Sequence, residues 1–262
     1  MDDIIKSIIL GIIQGLTEFL PVSSTGHLLL GRKFLGLSEA GLFLDTMLHL
    51  GTLVAVVAVF WRDILGLIKR PFSRLMLLLV VATIPTAIIG LTFENFFEEI
   101  SKTGVTVGWE FLATGFILWI ADRVKNQGYK SFEDIKIRDA LIVGTLQGAA
   151  ILPAISRSGL TIAGALFSGI NKEAAARFSF LVSLPAIAGA TVLQLKKLSE
   201  GTAVEVIGVD ALIFGTVASA IFGYIAVKWM LKILQKGSLK GFAIYVWILG
   251  AGVLVMQFLG KF

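Results

Sequence analysis

The sequence has no cysteine, two histidines, three tyrosines and five prolines in 262 residues, and only 16% of it is charged. Without cysteine there is no disulfide framework, no thiolate nucleophile and no thiolate metal site; the redox compartment stays undecided. A soluble chain of this length carries about a quarter charged residues, so the shortage of charge argues against a water-exposed surface. There is no P-loop, no His/Asp cluster with two-metal spacing, and no basic stretch interleaved with aromatics. Those absences speak against nucleotide-driven transport, a two-metal phosphatase and a nucleic-acid partner, and nothing signals an organic cofactor. The start, Met1-Asp2-Asp3, is acidic and lacks the basic n-region and small-residue cleavage site of a signal peptide.

What the sequence does have is apolar. It is 56% hydrophobic with a mean hydropathy of +0.88, which reads as an all-α polytopic integral membrane protein. Apolar segments fall at roughly 4–19, 23–35, 41–60, 75–93, 106–121, 138–152, 156–169, 176–195, 207–227 and 242–259. Crossing the hydrocarbon takes about 20 helical residues, so 23–35 and 156–169 are too short. Each follows a proline, Pro21 or Pro153, that breaks the segment before it. The expectation is six full spans plus two re-entrant broken-helix pairs in a single membrane domain, 1–262.

The pattern repeats. Gly11, Gln14 and Gly15 recur 133 positions later as Gly144, Gln147 and Gly148. Gly26, Gly31 and Gly36 match Gly159, Gly164 and Gly169 at the same shift, and Ala87, Ile88 and Gly90 match Ala220, Ile221 and Gly223. Repeat one covers about 1–130 and repeat two about 131–262. Each crosses the membrane an odd number of times, so the halves are inverted relative to each other, the arrangement that brings discontinuous helix ends together near the midplane. Loops 61–74, 122–138, 170–177 and 228–240 hold 15 of the 23 Lys and Arg, and the opposite side holds 7. The richer side is expected to be cytoplasmic, which puts both termini, and the acidic loop around Glu94, Glu98 and Glu99, outside.

Two polar knots interrupt the apolar helices. The first is Gln14-Gly15-Leu16-Thr17-Glu18-Phe19-Leu20-Pro21-Val22-Ser23-Ser24-Thr25-Gly26-His27, and the second is Pro153-Ala154-Ile155-Ser156-Arg157-Ser158-Gly159-Leu160-Thr161. Arg157 in a span costs about 2.5–3.5 kcal/mol on insertion scales and marks a functional cavity. Its fork of donors suits phosphate; the bland alternative is an ion pair with Glu18 or Asp45. Glu18 needs a partner for the same reason, and serves as a cation ligand, a general base or an orienter of His27. Gln14 lies one turn earlier on the same face, placed to donate to phosphate, to help hold a cation, or to close the repeat interface opposite Gln147. Ser23, Ser24 and Thr25 open one half-helix, and Ser156, Arg157 and Ser158 open the other. They are either ordinary N-caps or two amide-rich helix starts facing one diphosphate. His27 follows Ser24 by three residues, and beside these neighbours reads as a proton carrier. His49, four residues after Asp45, reads as structural, and Gly164 and Gly169 as close-packing sites.

Gln14-x-x-x-Glu18 resembles the (E/Q)-x-x-x-E motif of the undecaprenyl-diphosphate phosphatase (bacitracin-resistance protein) family, and residues 16–27 fit that family without a break. Pro153 to Thr161 is similar to its P-G-x-S-R-S-x-x-T motif, with Ala154 where the family has Gly. The resemblance implies hydrolysis of a polyprenyl diphosphate, undecaprenyl diphosphate, to the monophosphate and inorganic phosphate, which recycles the lipid carrier for cell-wall synthesis. It further implies bacitracin resistance and a site open to the outer face of the cytoplasmic membrane. Carried over, Ser24 is the nucleophile with Ser23 as fallback, and Glu18 and His27 handle protons. Ser156, Arg157 and Thr161 clamp phosphate with Gln14, Ser23, Thr25 and Ser158 around it, and Glu18 with Gln14 and the substrate's own phosphates is the place for one Mg²⁺ or Ca²⁺. A homodimer is left open. Because inverted repeats with broken helices are also a transporter plan, a prenyl-phosphate flippase is the competing function.

Overall fold

The structure is a computed structural model that describes residues 2–37, 41–124, 128–199 and 207–261; its regular elements are helices. Helix α1 (Asp3–Phe19) starts where the Asp2 carboxylate accepts the Ile4 N–H at 3.3 Å, and stops two residues before Pro21. Ser23 caps α2 (Ser24–Leu35), and Gly36, in the left-handed region at φ 66°, closes it. There follow α3 (Gly41–Val59), α4 (Trp61–Lys69), α5 (Arg74–Thr92), α6 (Glu94–Thr103) and α7 (Val107–Asp122). After a 3₁₀ turn at Phe132–Asp134 come α8 (Ile137–Ala149), α9 (Arg157–Phe167), α10 (Lys172–Ser199), α11 (Val209–Lys236) and α12 (Lys240–Phe258). Both expected breaks are present, between α1 and α2 and between α8 and α9.

Among the described residues, four helices are long and apolar enough to cross a membrane by themselves: Arg74–Thr92, Lys172–Gln194, Val209–Gln235 and Lys240–Phe258. The sequence reading expects six spans. The other two segments are α3, which meets the criterion only together with α4 across a 78° bend, and α7. Helix α7 has 16 residues, about 24 Å at 1.5 Å per residue. Helices α4 and α6 occupy stretches that hydropathy leaves as loops. Each is a short amphipathic turn of chain; α4 buries Leu67 while Trp61, Leu65 and Ile68 stay exposed.

The halves interlock. Helix α1 packs on α11 and α8 packs on α5, while α7 pairs with α12 and α10 touches α3. Glycine makes the first two contacts feasible: a Cβ on Gly11 would stand 2.2 Å from the Gly215 carbonyl oxygen, and one on Gly144 would stand 2.0 Å from that of Ala82. In both cases a backbone carbonyl fills the space a side chain needs. Residues 11 and 144 differ by 133, and so do their neighbours 82 and 215. At the next turn side chains also come close, Phe222 against Gly15 and Ile89 against Gly148.

The four basic loops meet at one end. Lys172 pairs with Asp122 at 3.8 Å, Arg177 pairs with Asp63, and Arg74 donates to the Glu133 carbonyl and, at 2.6 Å, to that of Ile135. Lys130 holds Asp139 at 2.8 Å, and the Leu239 N–H reaches Asp122 at 2.8 Å. Of the charges counted from sequence, Lys125 and the side chains of Glu98, Lys102, Lys197 and Lys236 lie outside the described residues.

Candidate active site

The two broken segments lie against each other. The Ser23 hydroxyl donates to the Pro153 carbonyl at 2.9 Å, and the Ser158 hydroxyl donates to the Leu20 carbonyl at 2.9 Å. Each break thus satisfies a carbonyl that the other leaves without a helical partner. Helix α7 braces the second break from outside: Glu110 accepts the Ala154 N–H at 2.6 Å and Thr114 accepts the Ser156 N–H at 3.1 Å. Ala154 fits its place; it is fully buried, and its Cβ already lies close to Gly26, where a Cβ would come within 3.1 Å.

Against this frame the polar residues converge on Glu18, whose side chain is 3% exposed. Arg157 donates to Glu18 Oε1. Ser24 donates to Oε2 at 2.5 Å, and Gln14 Nε2 to the same oxygen at 2.9 Å. An opened pair of helices has therefore placed a carboxylate, a guanidinium and a hydroxyl in contact across 139 residues of sequence. The Arg157 Nη1 donor is buried with no partner, and a narrow recess lined by Glu18, Arg157, Ser158 and Thr161 lies beside it. An unpaired guanidinium nitrogen in a low-dielectric site is costly, and it is the donor an arriving oxyanion satisfies.

The remaining expected residues take supporting places. Ser23 and Ser156 are the N-caps of α2 and α9, accepting the Gly26 and Gly159 N–H groups at 3.4 and 3.1 Å. Ser156 also meets Ser158 at 3.3 Å. The Thr161 hydroxyl binds the Arg157 carbonyl at 2.8 Å and Ser179 at 2.6 Å, bracing the first turn of α9. Thr25 is exposed in the first turn of α2.

His27 is turned elsewhere. Its Nδ1 lies 2.6 Å from the Ser23 carbonyl and its Nε2 lies 2.7 Å from the Tyr245 hydroxyl, with the two rings stacked at 5.7 Å. A carbonyl only accepts, so Nδ1 carries the proton and Nε2 takes that of the phenol. Neither nitrogen is bonded to Ser24 or Glu18, which differs from the expected exchange of a proton with Ser24. The helical i, i+4 spacing explains it: His27 reaches back to Ser23, the chain's one non-glycine residue with positive φ among those described, at 68°, and holds that turn.

The histidine that does face the carboxylate is His49, read from sequence as structural. Its Nε2 is 3.6 Å from Glu18 Oε2, and its Nδ1 donates to the Asp45 carbonyl at 2.7 Å. Tyr245 and His49 both escape the motif reading because they stand in long apolar helices, α12 and α3. For His49 the signal that could have found it is the general one of an ionisable group inside an apolar helix.

The donor set bears on the expected Mg²⁺ or Ca²⁺. Ca²⁺ takes six to eight oxygens and Mg²⁺ an octahedron. Here both Glu18 oxygens are engaged, one by a guanidinium, and Gln14 Oε1 is the buried, unpartnered oxygen beside them. Among the described residues no group of three His, Asp or Glu gathers as a cation's ligands do. This set does not fit a resident divalent ion; an ion that arrives on a diphosphate is part of the substrate's charge.

Residues 7–252 match the family model described as bacitracin resistance protein BacA. The chain is 58% identical over 258 residues to undecaprenyl-diphosphatase 3 of Bacillus cereus, covering 98% of this chain and 99% of that one. It is 54% identical over 259 residues to the undecaprenyl-diphosphatase of Carboxydothermus hydrogenoformans, with 98% of each covered. It is 44% identical over 256 residues to that of Halothermothrix orenii, covering 97% and 98%. With nearly its whole length matched, the chain belongs to the bacitracin resistance protein BacA family.

Proposed function

We propose that this protein is a membrane-embedded phosphatase that hydrolyses undecaprenyl diphosphate to the monophosphate and inorganic phosphate. It thereby recycles the lipid carrier for cell-wall synthesis and confers bacitracin resistance. Its two halves, about 1–130 and 131–262, are inverted repeats, with α3 and α7 as the fifth and sixth spans. Both termini and the mouth of the site face outward from the cytoplasmic membrane.

One observation carries the reading: Arg157 lies on Glu18 beside Ser24, with its second terminal nitrogen buried and unpaired. The terminal phosphate of the substrate takes Arg157 by both nitrogens, the bidentate geometry that suits a guanidinium. Satisfying Nη1 and drawing Nη2 off Glu18 leaves the carboxylate to accept the Ser24 proton. Substrate binding and nucleophile activation are then one event. Ser24 Oγ attacks the terminal phosphorus, and the bond to the bridging oxygen breaks. Ser156, Ser158 and Thr161 fix the start of α9 from which Arg157 projects, and Gln14 holds the Glu18 carboxylate in place. His27, paired with Tyr245, sets the Ser23 turn that presents Ser24.

Release of phosphate from a short prenyl diphosphate by the purified protein in detergent tests this, since detergent offers no two sides to transport between. Wild-type protein releases phosphate, and Arg157→Ala loses nearly all turnover, about a thousandfold, through loss of charge stabilisation. A folded wild-type chain that releases none is a transporter instead.

A further inference from the structure

Two histidines are present, and in the neutral state both spend Nδ1–H on the carbonyl four residues back: His27 on Ser23 and His49 on Asp45. What separates them is Nε2. In His27 it is occupied by the Tyr245 hydroxyl. In His49 it faces Glu18 Oε2 at 3.6 Å, the oxygen that also accepts the Ser24 hydroxyl. The His49 side chain is 27% exposed, against 3% for Glu18, so the imidazole stands between a sealed carboxylate and more open space.

We propose that His49 is the proton outlet of the reaction centre: it takes the Ser24 proton from Glu18 and passes it out. This rests on the phosphatase reading above. Ser24 Oγ bonds to the terminal phosphorus, and the bond from that phosphorus to the bridging oxygen breaks with its electron pair on the departing monophosphate. The hydroxyl proton moves to Glu18 Oε2 and on to His49 Nε2, leaving carboxylate beside imidazolium. Water then displaces Ser24 from phosphorus, returning one hydrogen to Oγ and leaving its hydroxyl on phosphate. The proton on His49 is the one that hydrolysis releases when the product is HPO₄²⁻. Glu18 itself is only 3% exposed and has no other outlet through which to discharge it.

The groups around the ring suit this task. Helix α3 supplies Asp45, α1 supplies Glu18, α2 supplies Arg32, which binds Asp45, and α9 supplies Arg157, which binds Glu18. From α11 comes the neutral Ser219 hydroxyl, on the Leu48 carbonyl at 2.7 Å. The ion pairs of α10 reach Asp122 and Asp63 instead. Two carboxylates thus flank the imidazole, each paired with a guanidinium in the resting structure.

His49 acts through Glu18 and is a positioning and relay residue, so its test must read more than loss of activity. His49→Asn keeps a donor for the Asp45 carbonyl and removes the group facing Glu18; His49→Gln keeps a donor towards Glu18 that cannot titrate. Turnover of a short prenyl diphosphate in detergent is measured across pH 5–9, with melting temperature as the check on folding. Wild-type kcat should fall on the acid side, where the base that must accept the Ser24 proton is already filled. Both variants should lose about a hundredfold or more in kcat with KM within about threefold, lack that acid limb, and recover part of the rate with added imidazole for His49→Asn. Folded variants that keep the wild-type acid limb overturn the inference while leaving the phosphatase reading intact. Loss of the limb in His27→Asn alone moves the role to His27 and also overturns it. A wild-type chain that releases no phosphate overturns both.

Discussion

Ser23 and Ser24 are neighbours in the chain with different tasks. Ser23 caps α2, ties it to Pro153 and holds a positive φ, whereas Ser24 points its hydroxyl at Glu18. Alanine substitution should therefore split them. Ser24→Ala removes the proposed nucleophile and a buried hydrogen bond to the Glu18 carboxylate, so kcat should fall at least about a thousandfold and melting by a few degrees. Ser23→Ala loses a cap worth about 1 kcal/mol and a buried hydrogen bond of similar size, so melting should fall by several degrees while kcat stays within about tenfold. Thermal melting and phosphate release on the same preparations read both; equal activity losses with equal stability would mean the two serines share one role. The contrast between the histidines belongs to this scale too. Sequence spacing put His27 on the serine helix and gave no measure of where its ring pointed. The ring's direction depends on Tyr245, 218 residues away, and no local pattern encodes that contact.

At the scale of elements, the breaks at Pro21 and Pro153 and the pairing of the two polar knots were legible, because proline and buried charge act locally and strongly. Helices α4 and α6 were not, since nine or ten residues of mixed polarity have neither the length nor the hydropathy of a span. The bracing of the second break by Glu110 and Thr114 was equally hidden, as both sit on an otherwise ordinary apolar helix. The glycine shift of 133 had a physical meaning the sequence suggested only as repetition: at Gly11 and Gly144 a helix comes against the backbone of its partner. Gly144→Val should therefore force α8 away from α5. Overpacking of this kind costs about 1–3 kcal/mol, and with Ala82 backbone 2.0 Å from the new Cβ the upper end is expected. Melting should drop, and activity with it, because α8 carries the chain into the second break. Gly66→Ala meets nothing within 4 Å and is the control that should leave both unchanged.

For the whole molecule, the question is which face receives the released phosphate, and orientation decides it. The four loops richest in Lys and Arg touch one another at one end through Lys172–Asp122, Arg177–Asp63, Arg74 on the 132–135 turn and the Leu239 N–H on Asp122. That end stays in the cytoplasm if the positive-inside rule holds, and Asp2 and the last turn of α12 then face outward. Because the chain has no cysteine, single thiols report this without background. Ser131→Cys, in the basic end, should react with a membrane-impermeant maleimide only after cells are permeabilised. Asp2→Cys and Lys261→Cys should react in intact cells. A thiol at position 2 that stays silent while one at 261 reacts would break the even count of crossings that inverted halves require. The reverse pattern at all three sites would turn the site towards the cytoplasm, and the phosphate and proton released by hydrolysis would then be delivered to the opposite side of the membrane.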